Sequence, residues 1–183
     1  MAVEIYVDGS CIGNPGPGGW GVYIPDLENP ISLCGGAPRT TNNRMEMQAA
    51  IEALQIMPQE SDIIILSDSR LLVEGMSDWI HGWIAQGRLE STSSKPVANA
   101  DLWKILLSEA AWHTVKWKWV KGHAGNHGNE IADKLANSGS SGRRIDHAKA
   151  PRTSTSKAHG SCFNNSEVAA GGSLWLFGET GAV

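Results

Sequence analysis

The sequence is poor in cysteine and in long apolar runs, and each shortage excludes a class of protein. Three cysteines in 183 residues are an odd and sparse set without metal-ligand spacing, which excludes a disulfide framework and predicts free thiols in a reducing compartment. No apolar run approaches the roughly 18 residues of a membrane span, and the start of the chain does not have the pattern of a signal peptide. We therefore expect a cytoplasmic protein that makes no membrane association.

Basic charge is also scarce, except near the end of the chain. Residues 1–140 hold 10 Lys and Arg against 16 Asp and Glu, a net charge of −6, whereas residues 141–183 have a net charge of +2. This distribution argues against a domain that binds nucleic acid by bulk positive charge alone. An acidic excess is, however, what a carboxylate site that recruits divalent cations would produce.

The length and the composition predict a single folded domain followed by a tail. An apolar content of 41% in 183 residues is typical of one soluble domain of ordinary size. Past residue 140 the chain consists mainly of Gly, Ser, Ala, Thr and Asn, which indicates a low-complexity tail over residues 141–183. This tail carries five cations against one acid at 143–157 and a short apolar patch at 174–177. We expect it to be either a dispensable solvated tail or an additional contact to nucleic acid or protein.

The spacing of the apolar residues predicts an α/β domain. Strands are expected at residues 3–8, 20–24, 31–34, 62–66 and 114–120, with Gly35 and Gly36 ending the third. Helical spacing is found at residues 45–57, 71–84, 101–111 and 131–136, with a break near Gly75 or Gly82 in the second helix and Asp101 as the cap of the third. The element order predicts a mixed sheet that starts with an antiparallel meander and is flanked by helices.

Four carboxylates lie at strand ends and on helices in this scheme. Asp8 ends the first strand, Glu46 is placed in the first turn of the first helix, Asp68 follows the buried fourth strand, and Asp133 lies on the last helix. Taken singly, Asp8 beside Gly9 is also ordinary turn chemistry, and Glu46 is also a stabilising charge at a helix N-terminus. If the sheet brings the strand ends together, the four form an oxygen-only cluster, which needs cations and favours Mg²⁺ or Mn²⁺ over Zn²⁺.

Five stretches of the sequence resemble type 1 ribonuclease H of the bacterial kind. They cover residues 6–21, 39–47, 66–69, 119–126 and 128–133, and they occur in the order that the family has. The resemblance spans about residues 2–137 and implies a ribonuclease H-like fold, with a five-stranded mixed sheet flanked by helices. It also implies an endonuclease that hydrolyses the RNA strand of RNA/DNA hybrids by two-metal-ion catalysis, leaving 5′-phosphate and 3′-hydroxyl ends.

The same resemblance implies roles for individual residues. Asp8, Glu46, Asp68 and Asp133 would hold two Mg²⁺ ions, with Mn²⁺ as a substitute, and His123 would assist proton movement or product release from its glycine-flanked loop. The remaining matches are expected to contact the hybrid. The minor-groove and 2′-hydroxyl contacts are Cys11, Asn14, Asn42 and Asn43; the DNA-phosphate pocket is Arg39, Thr41 and Asn99; the DNA channel is Trp79 and Trp83.

Tryptophan also permits a structural interpretation. The four-residue spacing of Trp79 and Trp83 is equally typical of a core contact, so both interpretations stay open for this pair. For Trp103, Trp117 and Trp119, we expect burial in the core.

Two features depart from the family pattern. Relatives often carry a lysine-rich handle before the Lys-Pro-Val segment, whereas residues 84–99 here contain only Arg88 and Lys95 as cations, opposed by Glu90. A handle poor in charge predicts weaker hybrid binding. Arg70 stands where relatives commonly have an uncharged amide, and it would supply a phosphate contact beside the active site.

Three other functions are compatible with parts of this pattern. A catalytically silent hybrid-binding module would have no need of the repulsive carboxylates. Another nuclease or polynucleotidyl transferase of the superfamily is disfavoured by Asn42, Asn43 and the His123 loop. A detached reverse-transcriptase domain has no support in the sequence. We expect a monomeric, metal-dependent ribonuclease whose partner is an RNA/DNA hybrid.

Overall fold

The computed structural model describes residues 1–25, 29–90, 92–93 and 95–145. Five strands lie in this part of the chain: β1 (Val3–Cys11), β2 (Gly16–Ile24), β3 (Ile31–Thr40), β4 (Asp62–Ser67) and β5 (Thr114–Trp119). The helices are α1 (Asn42–Ile56), α2 (Arg70–Glu74), a π-helical turn (Gly75–Trp79), α3 (Ile80–Ala85), α4 (Ala100–Ala110) and α5 (His127–Ser140). The expected order of strands and helices is confirmed, with several boundaries moved.

The strands form one mixed sheet in the order β3-β2-β1-β4-β5. β1, β2 and β3 are antiparallel neighbours, which confirms the predicted meander. β4 runs parallel to β1, with Val3 opposite Ile63, and β5 runs parallel to β4. Parallel strands end at the same edge of a sheet, so the C-terminal halves of β1 and β4 bring their carboxylates to one place.

Helices cover the two faces of this sheet. Tyr6 faces Gly128 of α5, whereas Gly9, an odd number of residues away, faces the backbone of α1. Side chains alternate between the faces of a strand, so α1 and α5 pack on opposite faces. The core consists mainly of aliphatic side chains with two tryptophans, and its members include Ile5, Val7, Trp20, Met47, Leu54, Ile65, Leu72, Trp103 and Leu106.

The prediction that Gly35 and Gly36 end the third strand is wrong. β3 continues to Thr40, with Gly35 opposite Trp20 and Gly36 opposite Gly19. A Cβ at Gly35 would overlap the indole of Trp20, and one at Gly36 would overlap the backbone of Gly139 in α5. These glycines therefore serve close packing inside a strand and do not interrupt it.

Three helix starts also differ from the expectation. α1 begins at Asn42 because the Thr41 hydroxyl accepts from the Arg44 amide, and this places Glu46 in the second turn. α5 begins at His127, where the Asn126 side chain accepts from the Asn129 amide. Capping oxygens of this kind start a helix ahead of its apolar face. α4 begins at Ala100 after Asn99, so Asp101 is not its cap.

The tryptophan predictions are confirmed for two residues and wrong for one. Trp103 is buried, and Trp117 is half-buried against the core. Trp119 is exposed, because it lies at the C-terminal end of β5, the edge strand of the sheet. Its indole N–H donates to the Asp68 carbonyl at 3.0 Å, so it contacts the functional edge of the sheet.

The end of the described chain lies beside β3. α5 ends at Ser140, and Ile145 exchanges two backbone hydrogen bonds with Cys34. The predicted tail beyond Ile145, with its basic residues from 149 onward, Cys162 and the apolar residues 174–177, lies outside the described residues. Cys11 is a free thiol. Among the described helices, none combines the length and the apolar character that a membrane crossing requires.

Candidate active site

Asp8 lies on the central strand of the sheet, opposite Gly21 of β2. Its side chain is buried, and its Oδ1 accepts from the Gly9 amide at 2.7 Å. β1 is paired with β2 at this residue and with β4 as far as Tyr6, two residues before it. The carboxylate of Asp8 is therefore presented from a rigid position.

Glu46 reaches Asp8 because α1 packs directly on the strand. Gly9 makes this possible, since a Cβ there would overlap the backbone of Met45 and Glu46. Glu46 is buried, and its Oε1 accepts from the Asn42 side chain at 3.3 Å. Its Oε2 is buried and has no hydrogen-bond partner among the described residues.

Asp68 follows β4 and is held by groups from two other elements. Its Oδ2 accepts from the Asn129 side chain of α5 at 3.2 Å, and its carbonyl accepts from Trp119 of β5. A Cβ at Gly122 would overlap Oδ2, so the loop after β5 closes tightly over this carboxylate. The sequence analysis did not identify Asn129 as a site residue; the only signal was that it shares a helical face with Asp133.

The three carboxylates form one compact cluster. Asp8, Glu46 and Asp68 each offer an oxygen that lies within 4.8 Å of the oxygens of the other two. Burial, and next the charge of Asp68, raise the pKa of Asp8 to about 7. Burial, and next the charge of Asp8, hold the pKa of Glu46 well above its usual range. The fully ionised cluster is therefore unfavourable without a cation.

Asp133 lies near this cluster but outside the group of three. It is half-buried on α5, where its Oδ1 accepts from the Asn137 side chain at 2.9 Å. Its negative charge contributes to the raised pKa of Asp8. The structure thus brings three of the four predicted ligands together and places the fourth within electrostatic reach.

The donor set fits a divalent metal ion. All three oxygens belong to carboxylates, which are the ligands that hard cations such as Mg²⁺ prefer. The buried Oε2 of Glu46 lacks a partner, and a bound cation would satisfy it. Two acids with raised pKa values beside a third carboxylate form an arrangement that is typical of a metal-dependent active site.

Comparison with known proteins agrees with this geometry. The family model described as RNase H matches residues 1–141. The chain belongs to the ribonuclease H family. It is 49% identical to Ribonuclease H of Chromohalobacter salexigens over 135 aligned residues, and the alignment covers 74% of this chain and 82% of the relative. It is 52% identical over 134 residues to Ribonuclease HI of Rickettsia prowazekii, covering 73% and 88%. The predicted ribonuclease activity is confirmed by these relatives.

Solved structures of the family share the fold. The crystal structure of LC9-RNase H1, a type 1 RNase H with the type 2 active-site motif, is 32% identical, with a TM-score of 0.66 over 84% of this chain and 82% of that one. LC11-RNase H1, solved in complex with an RNA/DNA hybrid, is 24% identical, with a TM-score of 0.54 over 74% and 94%. The second likeness bears on the fold alone. The predicted ribonuclease H-like fold is confirmed.

His123, which is predicted to assist proton movement or product release, lies on the loop between β5 and α5. It is exposed, and its backbone has a φ of 52°, in the left-handed region that is uncommon outside glycine. Gly125 follows with a φ of 80°. The loop presents the imidazole to solvent beside the segment that closes over Asp68.

The predicted minor-groove contacts surround the start of α1. The Asn14 side chain accepts from the Asn42 amide at 3.0 Å, and the Asn42 side chain donates to Glu46. The Cys11 thiol lies 3.4 Å from the Thr40 carbonyl, and Asn43 is exposed. Asn42 therefore connects this surface directly to the carboxylate cluster.

Arg44 was not identified from the sequence, although it lies at the predicted phosphate pocket. Its guanidinium donates to the Asn99 side chain at 3.3 Å and pairs with Asp101 at 2.7 Å. Asn99 has a φ of 59° at the start of α4, so Arg44 fixes a strained turn. Of the other pocket residues, Arg39 is exposed and Thr41 caps α1.

Aromatic side chains flank the site on two sides. Trp79 is exposed, and its ring centroid lies 5.8 Å from that of Trp83, which in turn lies 5.3 Å from that of the buried Trp103. Near Asp68, the guanidinium of Arg70 lies 4.5 Å from the ring centroid of Trp119. Trp79 and Arg70 are both exposed.

Proposed function

We propose that this protein hydrolyses the RNA strand of RNA/DNA hybrids endonucleolytically, leaving 5′-phosphate and 3′-hydroxyl ends. The observation that carries the proposal is the buried cluster of Asp8, Glu46 and Asp68 in a chain of the ribonuclease H family. The substrate follows from the relatives, one of which was solved in complex with an RNA/DNA hybrid.

Asp8, Glu46, Asp68 and Asp133 would hold the metal, with Asp133 joining the other three when substrate is bound. We infer two Mg²⁺ ions, with Mn²⁺ as a substitute, because four carboxylates without soft ligands favour hard cations. When bound, the ions lower the pKa of the attacking water and stabilise the charge on the leaving 3′ oxygen. The chain supplies fixed carboxylates from β1, α1 and β4, so the ions need no rearrangement of the backbone to bind.

His123 would act as the proton carrier of this site. Its exposed side chain is on a loop with two residues in left-handed conformations, and an imidazole can act as a general acid or base. Replacement of His123 by alanine is expected to lower kcat by about 10²-fold or more while leaving KM nearly unchanged.

The hybrid would lie across the N-terminal end of α1. Asn14, Asn42, Asn43 and Cys11 surround that end and offer polar groups to 2′-hydroxyls, the groups that distinguish RNA from DNA. Arg39, Thr41 and Asn99 would receive a phosphate of the DNA strand, and Trp79 with Trp83 would face that strand. Arg70, held over Trp119, would contact a phosphate beside Asp68.

The decisive experiment is cleavage of an end-labelled RNA/DNA hybrid with Mg²⁺, beside single-stranded RNA, duplex RNA and duplex DNA. We expect cleavage of the hybrid alone, lost with EDTA and in Asp8→Asn. Asp62→Asn is the matched control, because this exposed carboxylate stands at the opposite end of the strand that precedes Asp68. Hybrid binding without any cleavage by the wild type would instead make the chain a binding module and refute the catalytic proposal.

We further propose that the basic residues at 143–157 bind the hybrid backbone and partly replace the charge-poor handle. Arg143 follows α5 directly, and Ile145 is anchored to β3, the strand that leads into Thr41 and α1. Cations that bind phosphate release counterions, and each such contact adds about 0.9 to the slope of log affinity against log salt.

Neutralising the basic segment tests this directly. Replacing the five cations by glutamine should weaken hybrid binding and make the slope of log affinity against log salt shallower. Replacing the exposed Lys116 and Lys118 of β5 by glutamine should change the affinity and the slope less strongly. Substitution is preferable to truncation at residue 140, because Ile145 pairs with Cys34. Unchanged affinity and slope would show that the segment is a dispensable tail.

We also infer a cytoplasmic protein, since Cys11 is a free thiol and such thiols persist in a reducing compartment. The monomeric state stays a prediction.

A further inference from the structure

Asn129 is a deeply buried polar side chain next to the carboxylate cluster. It is the third residue of α5 and is 2% exposed. Its Nδ2 donates to Asp68 Oδ2 at 3.2 Å, whereas its Oδ1 is buried and has no hydrogen-bond partner among the described residues. Half of its hydrogen-bonding capacity is therefore unused in the folded chain.

The orientation of this amide follows from its neighbour. An ionised carboxylate accepts hydrogen bonds and cannot donate them, so the nitrogen of Asn129 must face Asp68 and the oxygen must face away from it. Gly122 closes on the same Oδ2 of Asp68. One oxygen of Asp68 is thus enclosed by the protein, and the other remains for a ligand outside it.

The start of α5 does not require this side chain. The helix is capped by Asn126, whose side chain accepts from the Asn129 backbone amide at 3.3 Å. The side-chain amide of Asn129 takes no part in that cap. A buried polar group that is only half satisfied is unfavourable for folding alone, so its placement indicates a role in the site.

We propose that Asn129 is a positioning residue for metal binding. Its N–H holds the Asp68 carboxylate in one orientation, and its free Oδ1 accepts an O–H from water that enters with the cation. Mg²⁺ usually keeps several of its waters in protein sites, and outer hydrogen bonds of this kind orient the ligands of metal sites. This inference rests on the proposed function, because it assumes that the cluster binds divalent cations.

Calorimetric titration of the full-length, metal-free protein with Mn²⁺ tests the proposal without relying on catalysis. Asn129→Ala should weaken Mn²⁺ binding by about 10- to 100-fold, the usual effect of removing an outer hydrogen bond at a metal site. The Mg²⁺ concentration for half-maximal hybrid cleavage should rise in parallel. Asn126→Ala is the matched control: it should lower the melting temperature through the lost cap and leave the Mn²⁺ affinity unchanged.

A second variant separates the hydrogen bond from packing. Asn129→Leu has a similar shape without the donor, so it keeps α5 packed and should weaken Mn²⁺ binding as much as Asn129→Ala does. Wild-type affinity in the leucine variant, or equal losses in Asn126→Ala and Asn129→Ala, would overturn the proposal. If the wild type neither binds Mn²⁺ nor cleaves hybrids, the proposed function fails. If the wild type binds Mn²⁺ and cleaves hybrids, and Asn129→Ala has the same Mn²⁺ affinity as the wild type, only this inference fails.

Discussion

Asp8 shows how one residue couples the site to the stability of the whole protein. Its pKa is raised to about 7 by burial and by the charge of Asp68, whereas an Asp in the unfolded chain has a pKa of about 3.9. Between these two values the folded chain keeps a proton that the unfolded chain has lost. The contribution of Asp8 to the free energy of unfolding therefore falls as pH rises through this window. The stabilisation from the protonated carboxyl of Asp8 is fully present only below about pH 4.

We accordingly predict that Asp8→Asn stabilises the metal-free protein at pH 8. The expected gain in unfolding free energy is about 1–4 kcal/mol, because each tenfold change in an acid constant is worth about 1.4 kcal/mol. At pH 4 the gain should largely disappear, since the wild-type carboxyl is then protonated in the folded state and about half protonated in the unfolded state. Urea unfolding at the two pH values measures the effect.

The exposed Asp62 provides the control for this measurement. Asp62→Asn removes a carboxylate at the start of β4, away from the cluster, and should not reproduce the pH-dependent gain. Equal unfolding free energies of the wild type and Asp8→Asn at pH 8 would contradict the electrostatic cost that we assign to the cluster.

At the scale of elements, the helix that follows Asp68 changes its winding without breaking. α2 passes into a π-helical turn at Gly75 and then into α3. At Gly75 the helix packs tightly on Trp103 of α4, whose indole would overlap a Cβ at this position. π-Turns are common near functional sites, and this one directs Trp79 outward and Trp83 toward Trp103.

Alanine substitutions at the two glycines of this helical segment should have opposite effects on the stability of the protein. Gly75→Ala should destabilise the protein by about 1–3 kcal/mol through overpacking against Trp103. Gly82→Ala should stabilise it by about 0.5–1 kcal/mol, because this helical position has open space around it and alanine loses less entropy. Thermal unfolding of the pair checks both signs, and equal effects of the two substitutions would refute the role of the Trp103 contact.

At the scale of the molecule, the cluster joins elements that are distant along the chain. Asp8, Glu46 and Asp68 come from β1, α1 and the end of β4, and α5 reaches the same point with Asn129 and Asp133. A cation bound there would hold these elements together in the folded state only. Binding to the folded state alone raises stability by mass action.

Mg²⁺ should therefore stabilise the protein, and more strongly at pH 8 than at pH 5. Protons compete with the cation for Asp8 and Glu46, whose pKa values are raised. At pH 8, each tenfold increase in Mg²⁺ above the dissociation constant should add about 1.4 kcal/mol to the unfolding free energy. Asp8→Asn should reduce this gain, and an equal Mg²⁺ effect at both pH values would contradict the linkage.

Local patterns in the sequence were sufficient for much of the fold. The alternation in β1, the continuous apolar run of β4 and the helical spacing of α1 each depend on neighbours along the chain, so these elements are readable without tertiary information. The motifs around Asp8, Glu46 and Asp68 likewise indicated the family. Boundaries were less reliable where a contact from a distant residue decided them, as with Gly36 against Gly139 in β3.

By itself, the sequence determined the order of the strands and helices and which carboxylates belong to them, although β1 continues past Asp8 to Cys11 where the sequence predicted its end. Only the tertiary structure decided that Asp8, Glu46 and Asp68 meet within 4.8 Å, that Asp133 stays outside this group, that Trp119 is exposed, and that Asn129 holds Asp68. The physical reason is that propensity and periodicity are properties of residues that are neighbours along the chain. Burial, charge coupling and ligand geometry depend instead on residues that are distant along the chain. The parallel pairing of β1 with β4 and the packing of α1 and α5 bring those residues together.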